Sequence, residues 1–266
     1  MSNKIFKRNE LERLNCVTDE DIILVLQYQK KLPVLCNNDS VDEFSVDARL
    51  LHKQLGVSKD FSKWIKSNLK DYAENTDYIT AAPRDDGDKH GKFTVSKEYF
   101  LTLDLAKEIS MFTGKNSQAS AELKETSRLT RKYFILMEHI VLENKEWITI
   151  RDPEKEEYKK MSAEVDAWCL RIWHHRASKS EYAVEADMLN TIVTGKTSQQ
   201  LKSEYGVASN DLIRDYLKKE HNEELLFLER QNQVLLLMNM GFTERKNMLI
   251  KMHDVKFKST EKVVAA

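Results

Sequence analysis

The chain has few of the residues that turn a backbone. Its 266 residues include 7 glycines and 3 prolines, where average usage would place about 19 and about 13. That shortage excludes a sandwich or barrel of many short strands, and the chain reads as mainly helix. Cysteine is also scarce. Cys16, Cys36 and Cys169 are odd in number, far apart and without CxxC or Cys/His zinc spacing, so they read as free thiols and no structural metal is expected. No apolar run follows the positive charges of MSNKIFKRNELERLNCV, so no signal peptide is expected and the expected location is the cytoplasm. Neither sign of charge dominates. With 42 Lys plus Arg against 43 Asp plus Glu, the net charge is −1, which argues neither for nor against a polyanionic partner. A content of 41% hydrophobic and 32% charged residues is too apolar for a disordered chain and too charged for a membrane protein.

The length exceeds the usual size of one domain, so two domains, or a domain plus a long helical extension, are expected. Residues 18–32 begin with a Thr or Asp cap and acids, carry Ile22, Ile23 and Leu26, and end on Lys30 and Lys31, a short amphipathic helix charged to suit its dipole. LPVLCNNDSVDEF reads as a brief β-like run, linker or edge strand, closed by a polar turn. From Ser45, one helix places Val46, Leu50, Leu51 and Leu55 on a face and stops at Gly56. A second, capped by Ser58, places Phe61, Ile65 and Leu69 on a face beside Trp64. Tyr78–Ala81 and Lys92–Val95 are expected to pair as a hairpin across PRDDGDKHG. Helix follows in EYFLTLDLAKEISMFT and again from ELKETS through KEWI. Pro153 and its neighbouring charge run mark the expected boundary. Beyond it, MSAEVDAWCLRIWHHR, KSEYAVEADMLNTIVTG, a T-x-x-Q box at Thr197–Gln200, SNDLIRDYLKK and EELLFLERQNQVLLLMNMGFTERKNMLIKM each read as helix. The expected fold is mainly α: a winged-helix-like N-terminal domain with a small β-hairpin, then an all-α C-terminal domain. The expected limits are 1–40 for an N-terminal helix and linker, 41–150 for the first domain and 160–258 for the second.

The sharpest charge feature is on the second helix of the winged-helix-like unit. Lys59, Lys63, Lys66 and Lys70 fall 4, 3 and 4 apart, opposite the apolar stripe. Arg49 and Lys53 add to them. Such a face is either a solvated surface or the place where a helix-turn-helix meets DNA. Arg84, Lys89, His90 and Lys92 could form a phosphate-tracking wing, yet Asp85, Asp86 and Asp88 oppose it. Trp168, Cys169, Trp173, His174 and His175 lack the i, i+4 geometry of a helical metal site and read as core aromatics beside surface imidazoles. Glu181, Glu185 and Asp187 read as a solvated helix face, and with no phosphate loop, nucleophile motif or paired base the chain reads as no enzyme and as needing no cofactor. The run from Leu225 to Met240 is apolar almost all round. In one register Leu225, Leu228, Leu235 and Phe242 take a or d positions, with Asn232 and Asn239 between them. The run, including Met238, is expected to join the chain into a homo-oligomer, dimer or tetramer, the alternative being the core of its own domain.

Four motifs occur in order: ARLLH at 48–52, FSKWIK at 61–66, LDLAKE at 103–108 and RKYF at 131–134. Together they resemble the phage antirepressors of the AntA/AntB family over about residues 41–140. The resemblance implies a phage- or prophage-encoded regulator of the bacterial host cell that opposes a lysogeny repressor by binding it, with the repressor as partner. The alternative is a DNA-binding transcriptional regulator using the basic helix. Residues 160–255, with EADMLNTIVTGKT and GFTERKNML, also resemble an accessory module of some phage proteins of this kind.

Overall fold

The computed structural model describes residues 5–36, 44–81, 97–115 and 119–258, which divide into two compact units. Unit 1 comprises residues up to Leu11 and Val17–His139, and unit 2 comprises Glu12–Cys16 and the chain from Ile140 onward.

Unit 1 begins with α1 (Arg8–Glu12) and α2 (Asp19–Lys31). The α2 start is fixed locally: the Thr18 hydroxyl accepts from the Asp21 N–H, while the Asp21 carboxylate accepts from the Thr18 N–H. Its buried face includes Ile22, Val25 and Tyr28, and the Gln29 amide clamps the backbone N–H and carbonyl of Phe6. The expected β-like run after it is instead a short helix, α3 (Pro33–Cys36), which starts on proline as a helical first position allows.

A two-residue strand, β1 (Val46–Asp47), precedes α4 (Ala48–Leu55), α5 (Phe61–Asn68), β2 (Tyr78–Ala81) and β3 (Glu98–Leu101). Two details correct the helix faces read from sequence. Val46 lies in the strand and Leu50 is exposed, so α4 buries Ala48, Leu51 and Leu55. Asp60, rather than Ser58, caps α5 through the Lys63 N–H. Gly56 ends α4 in the left-handed conformation. The strands form an antiparallel sheet in the order β1-β3-β2, with Val46 and Tyr78 both opposite Leu101. The strand that pairs with Tyr78–Ala81 is therefore Glu98–Leu101, which the sequence places in a helix. Lys92–Val95 lies outside the described residues. With β1 joining the pair behind a helix-turn-helix, the arrangement is winged-helix-like.

Helix α6 (Leu103–Phe112) is capped by the Thr102 hydroxyl. It is followed by α7 (Ala121–Trp173), a 53-residue helix that runs through Pro153, while the division between units falls at His139 and Ile140. Within unit 1, the α7 start grips the end of α6: Ser127 and Arg131 both donate to the Met111 carbonyl. Tyr133 of RKYF stacks on Tyr28 at a centroid distance of 4.0 Å.

In unit 2, the rest of α7 packs with α8 (Lys179–Thr194), α9 (Ser198–Glu204), α10 (Lys219–Leu237) and α11 (Phe242–His253). Capping boxes at Ser178 and Thr197 start α8 and α9, and Gly195 in the left-handed conformation stops α8. SNDLIRDYLKK does not form the expected helix; only a single 3-10 turn, Ile213–Asp215, survives. The last helical stretch is broken at Asn239, whose φ is +59°, into α10 and α11. No helix among the described residues is long and apolar enough to cross a membrane.

Candidate functional site

The helix-turn-helix is held by side chains from two of the sequence motifs. His52 of ARLLH lies with Nε2 2.8 Å from the Lys59 carbonyl oxygen, which can only accept, so the ring proton is on Nε2. The imidazole meets Phe61 and Trp64 of FSKWIK edge-on, at centroid distances of 5.6 and 4.9 Å. Trp64 and Ile65 are buried beneath the turn, so α5 leaves it in a fixed direction with its other face outward.

On α5 and in the segments around it are the lysines expected from sequence. Lys53, Lys59, Lys63, Lys66 and Lys70 are all exposed. Lys63 and Lys66 lie on α5 itself, Lys59 precedes its Asp60 cap, and Lys70 follows Leu69. Among the described residues none of the five makes an ion pair, and Lys59 Nζ reaches only the Ser67 hydroxyl, at 3.4 Å. By contrast, Lys107 and Lys132 of the same unit pair with Asp104 and Asp21. Five like charges without ion-pair partners among the described residues raise the local positive potential on a chain that is close to neutral overall. Arg49 does not belong with them. Its guanidinium pairs with Glu98 at 3.4 Å and covers the Phe61 ring at 4.2 Å, so it ties α4 to β3 and α5. The wing residues Arg84, Lys89, His90 and Lys92 lie outside the described residues.

The second set of sequence candidates is largely not a surface. Leu225, Leu228, Asn232 and Leu235 are buried within unit 2 itself, the three leucines in its own core. Phe242 is half-buried against the same core, and of the candidates only Met238 is exposed. Asn232 is spent internally: its amide donates to Glu185 at 3.0 Å and its oxygen accepts from Arg245 at 2.7 Å. Glu185 is correspondingly no solvated face residue. It is 5% exposed and receives both guanidinium nitrogens of Arg245, which is fully buried.

A second buried ion cluster was invisible in the sequence. Arg214 pairs with both Glu154 and Glu229, and Glu154 also holds Arg151. Burial and the neighbouring Glu154 push the Glu229 carboxyl up to about 8, against the pull of Arg214. Trp168 and Cys169 are core, while Trp173, His174 and His175 are exposed, with His175 stacked on Trp173. Among the described residues no group of three His, Cys, Asp or Glu side chains could hold a metal ion.

Residues 46–114 are similar to the family model described as AntA/AntB antirepressor. The match runs from the first residue of β1 to the glycine beyond α6 and takes in the whole helix-turn-helix and sheet. No curated protein matches the chain.

Proposed function

We propose that the chain is a phage or prophage antirepressor that binds a lysogeny repressor and relieves its hold on lytic genes by protein-protein contact. The observation that carries this reading is the family match over the helix-turn-helix and sheet. A regulator of this kind works by differential affinity. Binding the DNA-free repressor with about 5.5 kcal/mol of preference over the operator-bound form moves a 99:1 balance to 1:99. The test is a mobility-shift titration of a repressor-operator complex from a host lysogen. Release of the operator on adding the purified chain supports the proposal, and a complex unchanged at molar excess ends it.

A second reading rests on the lysines. Five exposed lysines without ion partners among the described residues, on and around the second helix of a helix-turn-helix, suit direct DNA binding as well as an acidic protein surface. Salt separates the two. Contacts from Lys59, Lys63, Lys66 and Lys70 to about four phosphates would give a log-log salt slope of about −3.6. No binding to duplex DNA at low ionic strength removes this reading and leaves the first intact.

A further inference from the structure

Unit 2 carries a hollow of about 170 Å³ between the end of α7 and helices α8 and α11, walled by Val165, Trp168, Trp173, Val184 and Phe242. Cys169, Ser180, Glu181 and the paired Glu185 and Arg245 complete its lining. Small-molecule sites span about 300–1,000 Å³, so the hollow is too small for a cofactor. An apolar cavity of about 150 Å³ takes one benzene ring, so one large apolar side chain fits. Trp173 and Val184, 47% and 50% exposed, open it to the surface.

The same unit presents side chains of that size. Val234, Leu237 and Met238 stand at i, i+3 and i+4 along the end of α10 and are 52%, 61% and 66% exposed. Arg171 of α7, two residues before Trp173, donates to the Leu236 carbonyl and to the Asn239 side chain, and Phe242 follows Met238 by four residues. Ridge and hollow therefore share one end of the unit. Their charges are unlike. Arg171 and Arg230 flank the ridge, each spending part of its guanidinium on Glu164 and Glu157 respectively. Glu181 stands in the hollow's lining, and hydrogen bonds from the Ser178 hydroxyl and N–H hold its carboxyl below the usual range. His175, 3.7 Å from Glu181, adds positive charge only when protonated.

A surface that holds both a ridge and a hollow of matching size satisfies itself by two-fold rotation, in which each copy gives what the other takes. With Leu170, 40% exposed, the apolar side chains of this end offer roughly 500 Å² a side, against about 800 Å² for each partner of a standard interface. The polar groups around them supply the remainder. We propose that two copies of this chain associate through this end of unit 2, the Met238 side chain of each entering the hollow of the other. Met238 is the most exposed of the three, and its thioether suits a hollow with three aromatic walls. Of the interface residues expected from sequence, Met238 is then the inserted side chain and Phe242 part of the wall that receives it.

Sedimentation equilibrium of the full chain at tens of micromolar tests this, and the expected mass is twice 31.1 kDa. Met238→Glu and Val184→Glu each put a charge at an exposed position, which leaves the fold intact. Each should raise the dissociation constant at least tenfold. Mixing the two variants should recover part of the association, because one keeps its hollow and the other its ridge, and one of the two contacts re-forms. A monomeric wild type overturns the proposal. So does a dimer that neither substitution weakens, a mixture no tighter than either variant alone, or assembly that grows beyond two copies. Circular dichroism establishes that each variant is folded, and Leu237→Glu replaces Met238→Glu if that variant is not.

Discussion

Replacing Arg245 with alanine isolates what a buried carboxylate costs once its cation is gone. Arg245 has no exposed surface. Its Nη1 and Nη2 reach Glu185 at 2.8 and 2.5 Å, Nη1 also donates to Asn232 at 2.7 Å, and Nε donates to the Met240 carbonyl at 3.2 Å. In the alanine variant Glu185 must stay charged in the core or take up a proton, and a void remains where the guanidinium lay against the Trp168 ring. Removing one partner of such a pair costs about 3–5 kcal/mol, a large share of the roughly 5–15 kcal/mol that holds a domain together. An apolar replacement of all three, Arg245→Met with Glu185→Leu and Asn232→Leu, should recover most of that loss, because the desolvation of the ions disappears with them. Urea unfolding of the full chain, followed by circular dichroism, measures both. A single-variant loss below about 1 kcal/mol, well short of the buried-pair range, would refute the argument. A triple variant no more stable than the single would do the same.

The Glu229 carboxyl, raised from 4.5 to about 8, binds a proton in the folded state where the unfolded chain has lost it. Its contribution to stability is thus fully present below about pH 4.5 and is lost as pH rises through about 8. Urea midpoints taken across that window should fall in the wild type, and the fall should be smaller in Glu229→Gln. Gly114 has φ +91°, and a Cβ there would stand 2.6 Å from the Leu123 carbonyl oxygen, so Gly114→Ala should cost about 1–3 kcal/mol in a thermal melt. An unchanged melting temperature would contradict that backbone geometry. Lys63→Glu with Lys66→Glu should leave stability within about 0.5 kcal/mol, as exposed positions do, while abolishing whichever partner binding the lysine face provides. Leu228→Asp places a charge at a fully buried site. It should unfold unit 2, read as lost helical ellipticity, rather than yield a folded monomer in sedimentation.

What was legible in the sequence follows from how far each residue's partner lies along the chain. The boxes at Thr18 and Thr197 each pair with a residue 3 positions away, so both halves of the signal sit in one short window. Gly195 ends α8 with a bond to Thr191, equally local. EYFL reads as helix from sequence because its apolar residues run straight into LDLAKE. What separates strand from helix there is the Thr102 cap together with the pairing of Glu98–Leu101 to Tyr78–Ala81 across the chain. SNDLIRDYLKK has helical periodicity but forms only a 3-10 turn. Arg214 is held by Glu154, 60 residues away, and by Glu229, 15 away, and such contacts override a weak local propensity. Asn232 made the same point in the apolar run. Read locally, it was a device for setting partner number; its actual partners are Arg245 and Glu185, 13 and 47 residues distant. The exposure of Lys63 and Lys66 follows from the apolar stripe on their own helix, and is legible for that reason. The buried ions were missed because a charge in the core is determined by whatever distant residue the fold brings to neutralise it.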